Sequence, residues 1–462
     1  MSEQANQPEA NRLRPGLVLG LACAANFITI LDLWVVSIAC PELQRSFAPA
    51  TLSEVSWVLN AYAIVLAAAL IPGGRLADST GRRRAFMAGL ATFGAASLGC
   101  GVATTLPTLV AFRALQALGS ALLMPTSLSF ALSAVPAERR ATAIGVWTAV
   151  SAAAACGGPL VGGLLLTTLS WRWLFFINLP LIAAALPLAR RYLPDSAQRI
   201  QRHADGAGAA LVFFVTALLC TTLVEADTWT RAQLTAVLAL AGCALLTLVL
   251  QQRRHPEPIL LPQLFLLPRF RLGAIGIVMY YVGFASLLVG STVLLTEHWH
   301  YSTLAAAIAI APGPITASLL SPFAGQLTAR FGARRLLLTG GSCFTAAGAW
   351  PLLTAALAPN YAVSVLPSML CWGVANALLQ PTLFATADAA PEAQLSSAAA
   401  LLTTARQLGS ALGVALLVAV LRTAPGLDGI RRAWLIVLGS GLLLAGQALR
   451  AGPPPRVLLT TE

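Results

Sequence analysis

The sequence predicts an all-α integral membrane protein, on three observations. Hydrophobic residues make up 57% of the 462 positions and charged residues only 10%. Apolar runs of about 20 residues, the length a helix needs to cross a hydrocarbon core of roughly 30 Å, recur along the whole chain. These runs are unbroken rather than alternating, which leaves helices as the spanning element, because a bilayer offers no partners to loose backbone groups. A soluble globular chain carries about 25% charged residues. The composition therefore excludes a soluble enzyme or nucleic-acid-binding protein despite a net charge of +12. The mean hydropathy of +0.77 excludes disorder as well.

Taken in order, runs bounded by Arg, Pro or acid fall at 16–40, 55–74, 85–103, 106–132, 141–169, 173–189, 206–224, 234–250, 272–295, 304–327, 336–357, 363–385, 396–421 and 433–449. The first lies between Pro15 and Pro41. The second closes on Gly74-Arg75, and the third opens after Arg82-Arg83-Arg84. Arg139-Arg140 and Arg172 bound the fifth, and Arg190-Arg191 closes the sixth. Arg253-Arg254 closes the eighth, Arg334-Arg335 precedes the eleventh, and Arg431-Arg432 precedes the last. Fourteen helices result, joined by short connections that make consecutive helices antiparallel neighbours. The first 15 residues are polar, so no signal peptide is expected ahead of the first run.

Orientation follows from arginine, since all 29 basic residues are Arg and inner loops of membrane proteins collect basic residues. With the N-terminus inside, 21 arginines fall in inner segments and 6 in outer ones, while Arg113 and Arg406 lie within spans. Both termini are therefore expected in the cytoplasm, with the chain in the cell inner membrane.

An internal repeat divides the chain. Gly74-Arg75-Leu76-Ala77-Asp78-Ser79-Thr80-Gly81-Arg82-Arg83-Arg84 and Gly325-Gln326-Leu327-Thr328-Ala329-Arg330-Phe331-Gly332-Ala333-Arg334-Arg335 share the pattern G-x-L-x-x-x-x-G-x-R-R. Two repeat-related halves with a substrate site between them are a transporter architecture. The expected organisation is a six-helix bundle over 1–193, a linker over 194–205 and two inserted helices over 206–250. A second linker over 251–271 leads to a six-helix bundle and short tail over 272–462. In the first hairpin the glycines permit a tight turn. Asp78, at the end of the second span, is placed to accept from amides at a helix N-terminus or to pair with a nearby Arg. Such a latch would hold one state closed and break in the other; the plainer reading is a positive-inside turn. In the second copy Ala329 replaces the acid, which favours the plainer reading there.

These residues carry a family resemblance. Gly74 to Arg83 resembles the signature loop of the major facilitator superfamily, and fourteen spans rather than twelve resemble its drug:proton antiporter branch of multidrug and quaternary-ammonium exporters. Leu31-Asp32-Leu33-Trp34-Val35-Val36-Ser37-Ile38-Ala39-Cys40-Pro41 resembles that branch's first-helix motif. Arg113-Ala114-Leu115-Gln116-Ala117-Leu118-Gly119 resembles its fourth-helix motif. Gly158-Pro159-Leu160-Val161-Gly162-Gly163 resembles its fifth-helix antiporter motif, and Trp171-Arg172-Trp173 and Asn178-Leu179-Pro180 follow it. The resemblance implies the major facilitator fold, and a part for Arg113 in proton transfer. Trp34 stands where the family usually has a small hydroxyl residue and Ala117 where it usually has Gly. A Trp beside Asp32 is expected to narrow the cavity and alter which substrate fits.

Asp32 and Arg113 lie at similar depth, roughly 13 Å and 10 Å from the outer ends of their spans at 1.5 Å per residue. An intramembrane charge costs at least about 2.5 kcal/mol and marks a functional site by default. One reading makes Asp32 the proton carrier, alternating between a cavity-exposed and an Arg113-paired state; the other is a fixed structural ion pair. Gln116 and Trp34 are further cavity candidates. Arg406, in the thirteenth run, either faces the cavity or pairs across helices. Asp32 is the one carboxylate clearly within a helix of the two bundles, which favours neutral, zwitterionic or monocationic amphiphiles over dications.

Gly158 and Gly162 form a G-x-x-x-G face for close packing. They are expected to let the fifth helix rock against its neighbour in the other half, with Pro159 and Gly163 beside them, and Pro312 and Pro314 are expected to bend the tenth. Glu225 and Asp227 near Trp229 read as interfacial. Eight cysteines without a CxxC pair, and His298 and His300 at i and i+2, give no metal or disulfide framework. No cofactor and no enzymatic motif are expected. The function this implies is proton-coupled export of small amphiphilic compounds such as drugs, antibiotics or toxic metabolites. An importer or uniporter of a metabolite is the alternative, and a receptor or scaffold without transport the reading from another class. Protons, a small molecule and the lipid bilayer are the expected partners, nucleic acid is not, and nothing requires more than a monomer.

Overall fold

The computed structural model describes residues 15–136, 139–194, 205–225, 229–255, 259, 261–354, 360–423 and 427–450. Most of the expected 194–205 linker, Asp227 and the tail after Arg450 lie outside them. The described secondary structure is helical. Twelve helices are long and apolar enough to cross a membrane by length and composition. In chain order, with two others included, the helices are α1 (Pro15–Ser37), α2 (Leu52–Thr80), α3 (Arg82–Val102), α4 (Leu106–Ser133), α5 (Arg140–Thr168), α6 (Asn178–Tyr192) and α7 (Gly206–Glu225). They continue as α8 (Arg231–Arg254), α9 (Pro268–Val293), α10 (Ala305–Phe331), α11 (Ala333–Thr354), α12 (Leu366–Phe384), α13 (Leu395–Thr423) and α14 (Leu427–Arg450). The two outside the twelve are α7 and α13, so twelve spans stand against the fourteen expected.

Local chemistry sets the helix ends. Thr51 caps α2 through a reciprocal box with Glu54, and Thr230 caps α8 through the same device with Gln233, each satisfying amides that the first turn leaves open. The tenth run is interrupted at its prolines: Thr303–Ile310 stops before Pro312, and a 3-10 turn over Ser321–Phe323 follows, because proline removes a donor and clashes with the preceding turn. Large apolar side chains stand on the surface, Leu164 at 63%, Leu246 at 60% and Leu353 at 76% exposure. In water such a coat drives association; in hydrocarbon it is the matched surface. Helix α8 buries only Ala241 and Leu248 among its residues.

Both copies of the repeat turn on a glycine at positive φ, Gly81 at 103° and Gly332 at 81°, the two positive-φ glycines among the described residues. A side chain at either position meets backbone strain of about 1–3 kcal/mol. Gly332 has nothing within 4 Å of an added Cβ, so Gly332→Ala isolates that strain. Thermal unfolding in detergent should show a lower midpoint for Gly81→Ala and for Gly332→Ala; unchanged midpoints would place no demand on these turns.

The chain forms two compact units. The first comprises Met1–Ala143, Gly157–Leu261 and Ala390–Thr403, and the second Ile144–Cys156, Pro262–Ala389 and Thr404–Glu462. Helices α7 and α8 belong to the first unit, where α7 packs along α2. One carboxylate ties them down. Asp205 accepts from the Gly208 amide at 2.7 Å, Gln251 Nε2 at 2.6 Å, Gln252 Nε2 at 2.9 Å and the Ile259 amide at 3.0 Å. Burial works against the charge, but the hydrogen bonds from Gly208, Gln252, Ile259 and Gln251 outweigh it and hold the carboxyl below the usual carboxylate range. A depressed native pKa adds stability above the unfolded value of about 3.9 and loses it as pH falls through the native value. Asp205→Asn should therefore lower the unfolding midpoint at neutral pH, and the gap from wild type should close on acidification. A gap independent of pH would remove this role from the ionised carboxylate.

Candidate functional site

Helix α1 carries Asp32 among Ile28, Ile30, Leu31 and Val35, all buried, so the carboxylate enters the interior of the first unit and has no exposed surface. Helix α4 brings Arg113, also fully buried, to meet it: Arg113 Nη1 donates to Asp32 Oδ2 at 2.5 Å. Gln116, one turn on, braces both partners. Its Oε1 accepts from Arg113 Nη1 at 2.6 Å, and its Nε2 donates to Asp32 Oδ1 at 2.9 Å and to Ser97 Oγ at 2.8 Å. Asn178 at the start of α6 supplies a third donor, Nδ2 to Asp32 Oδ1 at 2.9 Å. The guanidinium is held independently as well. Its Nε donates to the Val58 carbonyl at 3.1 Å, and it lies 4.2 Å over the Tyr62 ring. Tyr62 OH is fixed by Ser120 Oγ at 2.7 Å. Cys100 Sγ lies 4.0 Å from Gln116 Oε1. Two buried atoms of the cluster, Arg113 Nη2 and Asn178 Oδ1, find no hydrogen-bond partner among the described residues.

The energetics are those of a buried pair. Desolvating two ions costs several kcal/mol each, which attraction and further hydrogen bonds recover only with good geometry. Here the carboxylate has three N–H donors and the guanidinium two acceptors besides Asp32. Removing either charge strands the other.

The structure places the other sequence candidates as follows. Asp78 meets both expected kinds of partner. Its Oδ2 accepts from the Ser397 amide at 2.8 Å and Ser397 Oγ at 2.6 Å, and its Oδ1 from the Ser396 amide at 3.2 Å, all in the first turn of α13. Arg82 Nε lies 3.7 Å from Asp78 Oδ1. Arg82 also donates to the Glu392 carbonyl, and Arg83 to the Arg190 carbonyl. Gly74 lets α13 come close, since a Cβ there would lie 2.5 Å from Ala400 Cβ and 2.7 Å from Ser396 O. A cavity of about 410 Å³ beside this hairpin is lined by Pro72, Arg75, Asp78, Asp205 and Phe213, among others; Asp32 and Arg113 do not line it.

Two expectations are corrected. The Gly158–Gly162 face meets α1 within its own half: added Cβ atoms would lie 2.6 Å from Trp34 Cβ and 2.9 Å from Ile38 Cδ1. Gly163 has nothing within 4 Å, and Pro159 lies within the helix. Trp34 accordingly sits at the α1–α5 contact, about 200° round the helix from Asp32, and does not wall the carboxylate. Arg406 lies in the second unit, hydrogen-bonded to the Tyr281 hydroxyl, which also accepts from Gln380 Nε2 at 2.7 Å. Beside it Trp372 Nε1 donates to Tyr280 OH at 3.1 Å and Tyr280 OH donates to Asn376 Oδ1 at 2.8 Å.

Sequence reasoning missed Asn178, Ser97, Tyr62 and Ser120 as parts of the site. The available signal was polarity at depth, since a polar side chain within a span is costly unless another helix answers it.

Comparison with known proteins agrees with this architecture. Residues 22–414 match the family described as Major Facilitator Superfamily. The methylenomycin A resistance protein of Streptomyces coelicolor is 31% identical over 92% of this chain and 90% of its own. The puromycin resistance protein pur8 of Streptomyces alboniger is 36% identical over 87% of this chain and 80% of its own. Multidrug resistance protein Stp of Mycobacterium tuberculosis is 31% identical over 86% of this chain and 74% of its own. Among solved structures, the proton:xylose symporter XylE bound to 6-bromo-6-deoxy-D-glucose aligns with a TM-score of 0.66 at 15% identity, covering 95% of this chain and 96% of that one, a likeness of fold. With a family match over most of its length, the chain is a multi-pass membrane protein that belongs to the major facilitator superfamily, and its relatives include proteins named for multidrug and antibiotic resistance.

Proposed function

We propose that the protein exports small amphiphilic compounds across the cytoplasmic membrane in exchange for protons, by alternating access. In this reading fourteen helices span the bilayer, with both termini in the cytoplasm. The bundles over 1–193 and 272–462 rock about the substrate, and α7 and α8 are an inserted pair. A single copy suffices. The observation that carries the reading is the sealed Asp32–Arg113 pair at 2.5 Å. A carboxylate held in a membrane protein's interior beside a guanidinium changes the fit of its helices when it takes up a proton. The relatives named for resistance to antibiotics and drugs support the outward direction. The driving force suffices: one proton falling through ~150 mV supplies about 3.5 kcal/mol, enough for a roughly 300-fold gradient of an uncharged substrate.

Ethidium accumulation in cells with and without the gene, each with and without an uncoupler, tests this. Extrusion that the uncoupler abolishes is expected. Proton-independent or inward flux would favour the metabolite facilitator, and no flux across a panel of amphiphiles would end the transport reading.

A further inference from the structure

Neutralising Asp32 creates a hydrogen-bonding problem that only one neighbour answers. Asp32 Oδ2 faces the guanidinium at 2.5 Å, while Oδ1 receives only neutral amides, Gln116 Nε2 and Asn178 Nδ2, each at 2.9 Å. A proton therefore goes to Oδ1, the oxygen farther from the cation. The new O–H needs an acceptor. Arg113 offers donors only. Gln116 has its carbonyl engaged by Arg113 Nη1 at 2.6 Å and its amide by Ser97 at 2.8 Å, so turning it breaks both. Asn178 is fully buried, its Oδ1 has no partner among the described residues, and turning it gives up, besides its bond to Asp32, only a long bond from Nδ2 to Ser97 Oγ at 3.5 Å.

We propose that Asn178 is the positioning residue that follows the proton: its carboxamide donates through Nδ2 to ionised Asp32 and, after a half-turn, accepts through Oδ1 from protonated Asp32. The inference rests on the coupling role given to Asp32 above. No covalent bond other than the O–H forms or breaks, and the proton returns to water on release. The charged and titratable groups around the carboxylate are Arg113 on α4, Cys100 on α3 and Tyr62 on α2; Gln116, Ser97 and Asn178 are neutral amide and hydroxyl neighbours, and Phe175 is apolar. The two states differ in what they hold. Ionised Asp32 binds α4 and α6 together. Protonated Asp32 keeps α6 through Asn178 and loses the charge attraction to Arg113, which retains the Val58 carbonyl, Gln116 Oε1 and the Tyr62 face. Protonation thus removes the charge attraction between α4 and α1, leaving hydrogen bonds from Gln116 and Arg113 to a neutral acid, while α6 stays attached.

Infrared difference spectra of the full-length protein in liposomes, taken during acid titration, test this. Wild type should show a carboxylic C=O band that Asp32→Asn lacks, together with a change in a side-chain amide band. In Asn178→Leu the amide change should vanish and the carboxylic band should move to the position of an unbonded acid. Ethidium exchange driven by a pH gradient should fall roughly tenfold, the factor of one hydrogen bond. Asn178→Asp keeps the shape and guards against a folding defect in the Leu variant. Two carboxylates then share the site, and the titration midpoint should rise. A carboxylic band identical in wild type and Asn178→Leu, or a midpoint unmoved in Asn178→Asp, overturns the role of Asn178 and leaves Asp32 as the carrier. A band that Asp32→Asn also shows removes the coupling role itself.

Discussion

Replacing Asp32 with Asn should abolish uphill exchange while leaving the protein folded. The amide matches the carboxylate in shape and still offers Arg113 an acceptor. The guanidinium keeps the Val58 carbonyl, Gln116 Oε1 and the Tyr62 ring. Stability should still fall, because a buried charge has lost its counter-charge; for pairs without such support the loss is about 3–5 kcal/mol. In liposomes with an imposed pH gradient, ethidium accumulation should drop to the level of protein-free liposomes, while equilibration down the dye's own gradient persists. Accumulation at the wild-type level would mean that Asp32 is a structural ion and that the coupling proton binds elsewhere.

Removing the carboxylate of Asp78 should have the next largest effect. Three donors of α13's first turn, the Ser396 and Ser397 amides and Ser397 Oγ, converge on it, and side-chain exposures of 4% for Asp78 and 10% for Arg82 leave little solvent to replace them. Hydrogen bonds to a charged group contribute about 1.5–3 kcal/mol each, and the helix dipole adds to the attraction. Asp78→Ala should therefore lower stability by about 3 kcal/mol, after relaxation of the turn, and cut dye extrusion at least tenfold. Gly74→Leu should do the same by wedging, since its side chain would meet Ala400 and the Ser396 carbonyl. Thermal unfolding in detergent and efflux from cells measure both. Full activity in Asp78→Ala would reduce the hairpin to a turn that collects positive charge.

The two effects show how far the sequence reaches. Twelve of the fourteen expected spans were legible because length and apolarity decide them in a bilayer, and the repeat was legible because its turn needs glycine at Gly81 and Gly332 alike. Asp32 and Arg113 stood out because charge is rare at that depth, and simple counting of helical rise put them level. Their other partners were not legible. Asn178 is 146 residues from Asp32, and Ser396 is 318 from Asp78; no local pattern joins such pairs. Trp34 misled by its nearness in sequence to Asp32, although two residues on a helix point to nearly opposite sides. The Gly158–Gly162 pattern marks a close-packing stripe, but a stripe does not name the helix it meets, and α1 lies there. Arg406 was ambiguous for the same reason, and the Tyr281 hydroxyl is what it reaches.

The central claim is that the Asp32 carboxylate exchanges its proton against substrate. Calorimetric titration of the purified protein with ethidium, repeated in buffers of different ionisation enthalpy, measures that exchange without any membrane gradient. Wild type should release a proton on binding, seen as a buffer-dependent heat, and Asp32→Asn should bind with a heat that no longer depends on buffer. Equal proton release from both would contradict the claim.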